Sequence, residues 1–218
     1  MPSVLNPTRR KHRSNKAWMQ EHVNDHWVKE AKRLGFRSRA AFKLMDIATR
    51  DKLFRPGMRV VDLGAAPGSW SQVLARKVGG KGAKIVAVDI LDMEPIRGVE
   101  VVKADFSGDE GLALVETALG GAPVDLVVCD MAPNLSGIDS VDQARGIHLA
   151  DLALEFAVEW LQPGGDFAVK VFQGEGFDAY QRLVAQRFAK AYVRKPEASR
   201  DRSREVFVVG KAFLGDNV

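Results

Sequence analysis

The sequence predicts a doubly wound α/β fold. Three observations point there. From about residue 58 onward, short β-branched runs alternate with helical stretches. Several of those runs lack apolar/polar alternation, as expected when helices cover both faces of a sheet. The first run, "VVDLGAAPGSW" (60–70), passes through an acid into a loop of small residues that opens a helix.

Taken in order, residues 1–15 are polar and basic, with Pro2 and Pro7, and read as a flexible arm ahead of a single domain over 16–218. "KAWMQEHVNDHWVKEAKRLG" (16–35) has helical apolar spacing at Trp18, Val23, Trp27 and Leu34, with Gly35 as its stop. "SRAAFKLMDIATRDKL" (38–53) reads as a second helix with Ser38 as N-cap. Strands are predicted at 58–63, 84–90, 99–105, 124–131, 166–172, 190–195 and 205–213. Helices are predicted at 69–78, 109–119, 141–161 and 177–188. The first five strands each carry an ionisable residue at or near the C-terminal end: Asp62, Asp89, Asp105, Asp130 and Lys170. Ligands of open α/β sheets bind outside those ends, where an acid escapes the cost of burial.

Composition narrows the function classes. The 218 residues are 46% hydrophobic, enough for one core. No apolar run reaches 18 residues, so no membrane partner is expected. The start lacks an apolar h-region and does not read as a secretory signal. Its Arg-rich, acid-free composition suits a mitochondrial transit peptide, but a basic nucleic-acid-binding arm is the favoured use. Cys129 is the single cysteine, so no internal disulfide forms, and a reducing, cytoplasmic setting is expected. Residues 1–43 hold eleven Lys/Arg against three acids, which leaves the remainder of this +4 chain at −4. A second basic cluster holds Lys190, Arg194, Lys195, Arg200, Arg202 and Arg204. Two such segments suit either a solvated surface or a phosphate-backbone footprint.

The loop Gly64-Ala65-Ala66-Pro67-Gly68 matches neither G-x-G-x-x-G nor a P-loop. Pro67 removes an amide donor and weakens it as a pyrophosphate cradle. Asp89, 21 residues beyond Gly68, is placed to accept from both hydroxyls of a ribose, and Asp105 from an adenine amino group. Together they describe an adenosine with no required diphosphate. S-adenosylmethionine (AdoMet) fits that description, and a dinucleotide is the weaker alternative.

"DLGAAPGSWSQ", "DMAPNLSG", "VKVFQGEGFDAY", "VRKPEASRDRSREVFVV" and "GFRSRAAFKL" resemble the FtsJ/RrmJ family of ribose 2′-O-methyltransferases of large-subunit ribosomal RNA. The resemblance runs from about Trp18 to the last strand. It implies a Rossmann-like AdoMet-dependent methyltransferase fold. The sheet would have seven strands, mostly parallel, with the last inserted antiparallel and helices on both faces. The family's usual Gly-Gly-Trp is Gly68-Ser69-Trp70 here, a small-for-small change expected to have little consequence.

The resemblance also implies a catalytic tetrad of Lys43, Asp130, Lys170 and Glu205. Gly68 and Trp70 would shape the methionine end of the AdoMet pocket, alongside Asp89, Asp105 and Asp130. Each residue has a plainer reading: Lys43 on a surface helix, Asp130 capping a turn, Trp70 packing a helix, Glu205 paired with Arg204 or Arg202. Lys170, inside an apolar strand, is the hardest to explain that way. Lys170 acts either as base or as the cation that orients the hydroxyl, in which case Asp130 is the better proton acceptor. Asn134 and Ser136 suit turn chemistry as well as substrate contact. "QGEGF" (173–177) is expected to be a mobile, substrate-facing loop. His22 and His26 share helical i,i+4 spacing but not an H-E-x-x-H pattern, and no metal is expected.

The implied substrate is a uridine of 23S rRNA in the 50S subunit, methylated by a monomeric enzyme. A tRNA-modifying relative shares the same site residues. A non-catalytic RNA-binding scaffold and a nicotinamide-dependent dehydrogenase are the other classes. The filled tetrad argues against the first and the missing G-x-G-x-x-G against the second.

Overall fold

A computed structural model describes residues 25–215. The elements run α1 (His26–Arg33), α2 (Ala40–Asp51), β1 (Arg59–Leu63), α3 (Ser69–Lys77), β2 (Lys84–Asp89), β3 (Glu100–Lys103), α4 (Asp109–Leu119), β4 (Val124–Cys129), α5 (Asp139–Trp160), β5 (Leu161–Phe172), α6 (Phe177–Arg187), β6 (Phe188–Arg194) and β7 (Glu205–Phe213). They form one seven-stranded sheet in the order β3-β2-β1-β4-β5-β7-β6. β7 runs antiparallel between β5 and β6, and the other pairings are parallel. This is the α/β architecture expected, with the last strand inserted as the resemblance implied.

Two apolar clusters sandwich the sheet. One joins α4, α5 and α6 through residues such as Val115, Phe156 and Tyr180. The other joins α1, α2 and α3 through Ala31, Leu44, Ile47, Trp70 and Leu74. β1, β2 and β4 are almost wholly buried because both of their faces carry helices.

The differences from expectation have local causes. β3 ends at Lys103, two residues before Asp105. Asp105 Oδ1 accepts from the Ser107 amide (3.0 Å) and hydroxyl (2.6 Å), which turns the chain toward α4. β4 stops at Cys129, so Asp130 lies just beyond the sheet. β5 begins at Leu161, directly after α5, and its pairing with β4 is irregular until Asp166 meets Leu126. The N-cap of α2 is Arg39 rather than Ser38. Ser38 Oγ instead accepts from the Ala40 amide and lies 2.5 Å from Ser69 Oγ. The first helix is described from His26, capped by Asp25, whose carboxylate accepts from the Trp27 amide. The earlier part of its predicted span, His22 and the 1–15 arm lie outside the described residues. Among those described, no helix is long and apolar enough to cross a membrane.

Candidate active site

The strand ends of β1, β2, β4, β5 and β7 gather the predicted residues. Lys170 projects from β5 on the same face as Ala168, toward α2 and α3. Its side chain is 8% exposed. Nζ donates to the Asp130 carbonyl (2.7 Å) and lies 3.0 Å from Asp130 Oδ1. The second approach is a charge contact without hydrogen-bond geometry, so Oδ1 accepts no hydrogen bond from the described residues. Lys170 pairs in register with Phe207, and Glu205 stands two residues back on β7, so both side chains share a face.

The Glu205 carboxylate is held from outside its own loop, by Lys43. Lys43 Nζ reaches both of its oxygens, at 2.7 and 2.8 Å, and Ser199 Oγ donates to Oε1 at 2.8 Å. Burial pushes the Glu205 carboxyl up, but Lys43, Ser199 and the field of Lys170 together hold it below its ordinary value. The four tetrad residues therefore form two ion pairs, one on β7 and α2, the other on β5 and the end of β4. Lys195 closes the β6–β7 loop by donating to the Glu205 carbonyl (2.8 Å). Arg39 fastens the same loop at the Ala198 carbonyl. A cavity of about 230 Å³ opens beside Lys43 and Glu205, lined also by Ser38, Arg39, Ala40, Arg200 and Ser203.

The glycine loop lies across the sheet's centre. Gly64 and Gly68 have φ of +69° and +104°, a region that favours glycine. Asp89 steadies the loop, accepting from the Ala66 amide (2.8 Å) on one oxygen and the Leu91 amide (2.8 Å) on the other. Trp70 is 2% exposed, donates its indole N–H to the Ala40 carbonyl (2.8 Å) and packs on Phe207. It braces α3 against α2. Ser69, the departure from the family's glycine, is buried beside the Ser38 hydroxyl. Asp105 stands apart from the tetrad, exposed at the rim of an open cavity of about 550 Å³. The Ser107 donors pull its carboxyl below the ordinary value.

Two features escaped the sequence reading. Asp62 is fully buried in β1, where burial pushes its carboxyl up to about 7 despite a 2.6 Å bond from Ser71 Oγ; Asp130 and Asp89 add to the rise. Its Oδ1 has no partner among the described residues. A strand-end acid preceding a small-residue loop was legible, but its desolvation was not. Ser199 carried no signal at all.

The 173–177 loop is braced rather than loose. Gln143 Nε2 donates to the carbonyls of Phe172 (3.0 Å) and Glu175 (2.9 Å). Ser136 serves the turn before α5, donating through its amide and hydroxyl to Asp142 Oδ1. Among the described residues, no group of three or more His, Cys, Asp or Glu is placed to hold a metal ion.

The chain matches a known family along most of its length. The family described as FtsJ-like methyltransferase matches residues 36–213. The chain is 56% identical over 197 residues to the "Ribosomal RNA large subunit methyltransferase E" of Methylobacillus flagellatus, covering 90% of this chain and 95% of that protein. It is 57% identical over 198 residues to the protein of that name from Nitrosospira multiformis, covering 91% and 96%. Among solved structures, a putative ribosomal RNA methyltransferase from Plasmodium falciparum superposes with a TM-score of 0.74 at 25% identity, over 83% of this chain and all of that one. With the match spanning most of the chain and the strand order on the page, the chain belongs to the FtsJ-like methyltransferase family.

Proposed function

We propose that this chain transfers a methyl group from AdoMet to the 2′-hydroxyl of a uridine ribose in 23S rRNA of the large ribosomal subunit. The paired tetrad carries the reading: two lysines and two carboxylates, each lysine tied to one acid, drawn from α2, β5, β7 and the end of β4. The names of the bacterial relatives support the RNA.

The residues present fit AdoMet. Each Asp89 oxygen takes one backbone amide and keeps a lone pair for a ribose hydroxyl. Both Ser107 donors fall on Asp105 Oδ1, which leaves Oδ2 for an adenine amino group. Gly68, left-handed at the N-cap of α3, sets the path of the loop, and Trp70 shapes the pocket from behind by fixing α2 against α3. Asp130 borders both cofactor and substrate. When bound, AdoMet supplies a methyl group already activated by its sulfonium.

The protein's part is positioning and the management of one proton. Lys170, tied to Asp130, directs an N–H at the 2′-oxygen and orients its lone pair toward the methyl. The Asp130 carboxylate, held beside Lys170 Nζ, takes the proton. Lys43 and Glu205 hold the facing wall. Alignment of the reactants supplies roughly 7–11 kcal/mol of the acceleration. The 2′-hydroxyl target selects RNA over DNA. The basic segments hold its backbone, and the enzyme acts as a cytoplasmic monomer with a basic arm at 1–15 and one domain over 16–218.

The test incubates the protein and its Lys170→Ala variant with methyl-labelled AdoMet and, separately, unmodified 50S particles, free 23S rRNA and bulk tRNA. Alkali-resistant label at one uridine of the 50S sample, absent with the variant, is the expected result. Label confined to tRNA overturns the substrate and keeps the chemistry. No label anywhere overturns both.

A further inference from the structure

Arg37 lies in the basic stretch that reads from sequence as an RNA-binding segment, yet its donors point into the fold. Nη1 donates to the carbonyls of Pro67 (2.7 Å) and Glu94 (2.8 Å), and Nη2 to that of Pro95 (3.1 Å). Its own amide donates to Gln72 Oε1 on α3 (2.8 Å), and Gln72 Nε2 returns a bond to the Gly35 carbonyl (3.0 Å). The residue is anchored at its backbone and spends three bonds of its guanidinium fork on main-chain oxygens.

Those oxygens belong to two different loops. Pro67 is in the glycine loop, and Glu94 and Pro95 are in the loop between β2 and β3. The glycine loop is already tied to the last residue of β2, where Asp89 accepts from the Ala66 amide. Arg37 is the second join, at the Gly68 end. A Cβ built on Gly68 would stand 2.6 Å from Arg37 Nη1, 2.8 Å from Ile96 Cδ1 and 2.9 Å from Met93 Sδ. The guanidinium and the β2–β3 loop therefore close directly onto the glycine where the methionine end of AdoMet is placed above.

We propose that Arg37 is a positioning residue of the methyl-donor pocket, a latch that holds the β2–β3 loop against the glycine loop, and not a contact to RNA phosphate. The proposal rests on the AdoMet reading given above. A planar fork spans three fixed carbonyls, whereas an ammonium is a single point donor on a flexible stem. Charge alone therefore does not replace Arg37 in this role. A phosphate contact, in contrast, accepts lysine in place of arginine at modest loss and contributes to the salt dependence of binding.

The test compares native protein, Arg37→Lys and Arg37→Ala. AdoMet affinity is measured by calorimetry without RNA, and RNA affinity by filter binding over a salt series. KM is then determined separately for each substrate, and urea midpoints confirm that both variants fold. The expected result is an AdoMet Kd and KM raised about tenfold or more in both variants. RNA affinity, its salt slope and the KM for RNA stay at native values. The proposal is overturned if Arg37→Ala lowers the salt slope by about one and weakens RNA while AdoMet binding holds. It is also overturned if Arg37→Lys binds AdoMet like the native protein. Native protein that binds no AdoMet removes the reading beneath the proposal, an outcome visible before any variant is compared.

Discussion

The two ends of this sheet treat their carboxylates differently. At the N-terminal end of β4, Asp125 accepts from the Arg59 amide (2.8 Å) on one oxygen and from Gln162 (2.7 Å) and Arg55 (3.3 Å) on the other. On the same edge, both oxygens of Asp166 are taken, by the Ala212 amide (3.0 Å) and by Lys211. At the opposite end, Asp89 and Glu205 are bonded at both oxygens, but Asp62 and Asp130 each keep an oxygen without a hydrogen bond from the described residues. A saturated carboxylate holds the fold together. An unsaturated one costs stability and retains capacity for a ligand.

The largest expected effect breaks the site without breaking the fold. Lys170→Ala should slow methyl transfer roughly 10²–10⁴-fold, the range of a lost proton-handling group, while AdoMet still raises the Tm of the variant. Full activity would mean that the Lys170–Asp130 pair is structural after all.

Next comes the pH behaviour of Asp62. Its carboxyl sits at about 7 in the fold against an ordinary 3.8, so between those values the folded state holds more proton than the unfolded one. The Asp62 contribution to stability therefore falls as pH rises from about 4 to about 7. Asp62→Asn should abolish that slope and gain up to roughly 4 kcal/mol over the native chain between pH 4 and pH 7.5, as read from urea midpoints. Parallel pH curves for the two proteins would contradict the assignment.

At the saturated edge the sign reverses. Asp166→Ala should lose about 3 kcal/mol of stability, at the low end for a broken buried pair because Lys211 keeps some access to water. Activity per folded molecule should stay native, as assayed below its Tm. The smallest effect is expected for Ser199→Ala, which leaves Lys43 on Glu205 and removes one bond. Methyl transfer should fall about tenfold or less. The acid limb of the pH–rate profile should move to higher pH, because Ser199 helps hold the Glu205 carboxyl down.

Much of this comparison was legible before the structure. The strands of the buried sheet announced themselves as apolar runs, and the strand-end positions of Asp62, Asp89, Asp130 and Lys170 followed from them. The end of β3 was not legible, because Ser107 captures the Asp105 carboxylate by side-chain bonds that periodicity does not register. Nor was the partner of Glu205. Lys43 lies 162 residues away and is brought there by sheet order, whereas local spacing pointed to Arg202 and Arg204. The tetrad was read from family resemblance, and its division into two pairs is set by the fold. Arg37 shows the limit of counting charge: a cation in a basic stretch directs its donors inward to carbonyl oxygens.

β6 touches the sheet only through β7, and β7 supplies Glu205. A chain through residue 204 lacks the strand that ties β6 to the sheet and supplies the acid of the second ion pair. Cleavage before β7 is therefore expected to remove the proposed site and the sheet edge together, rather than to trim one and spare the other.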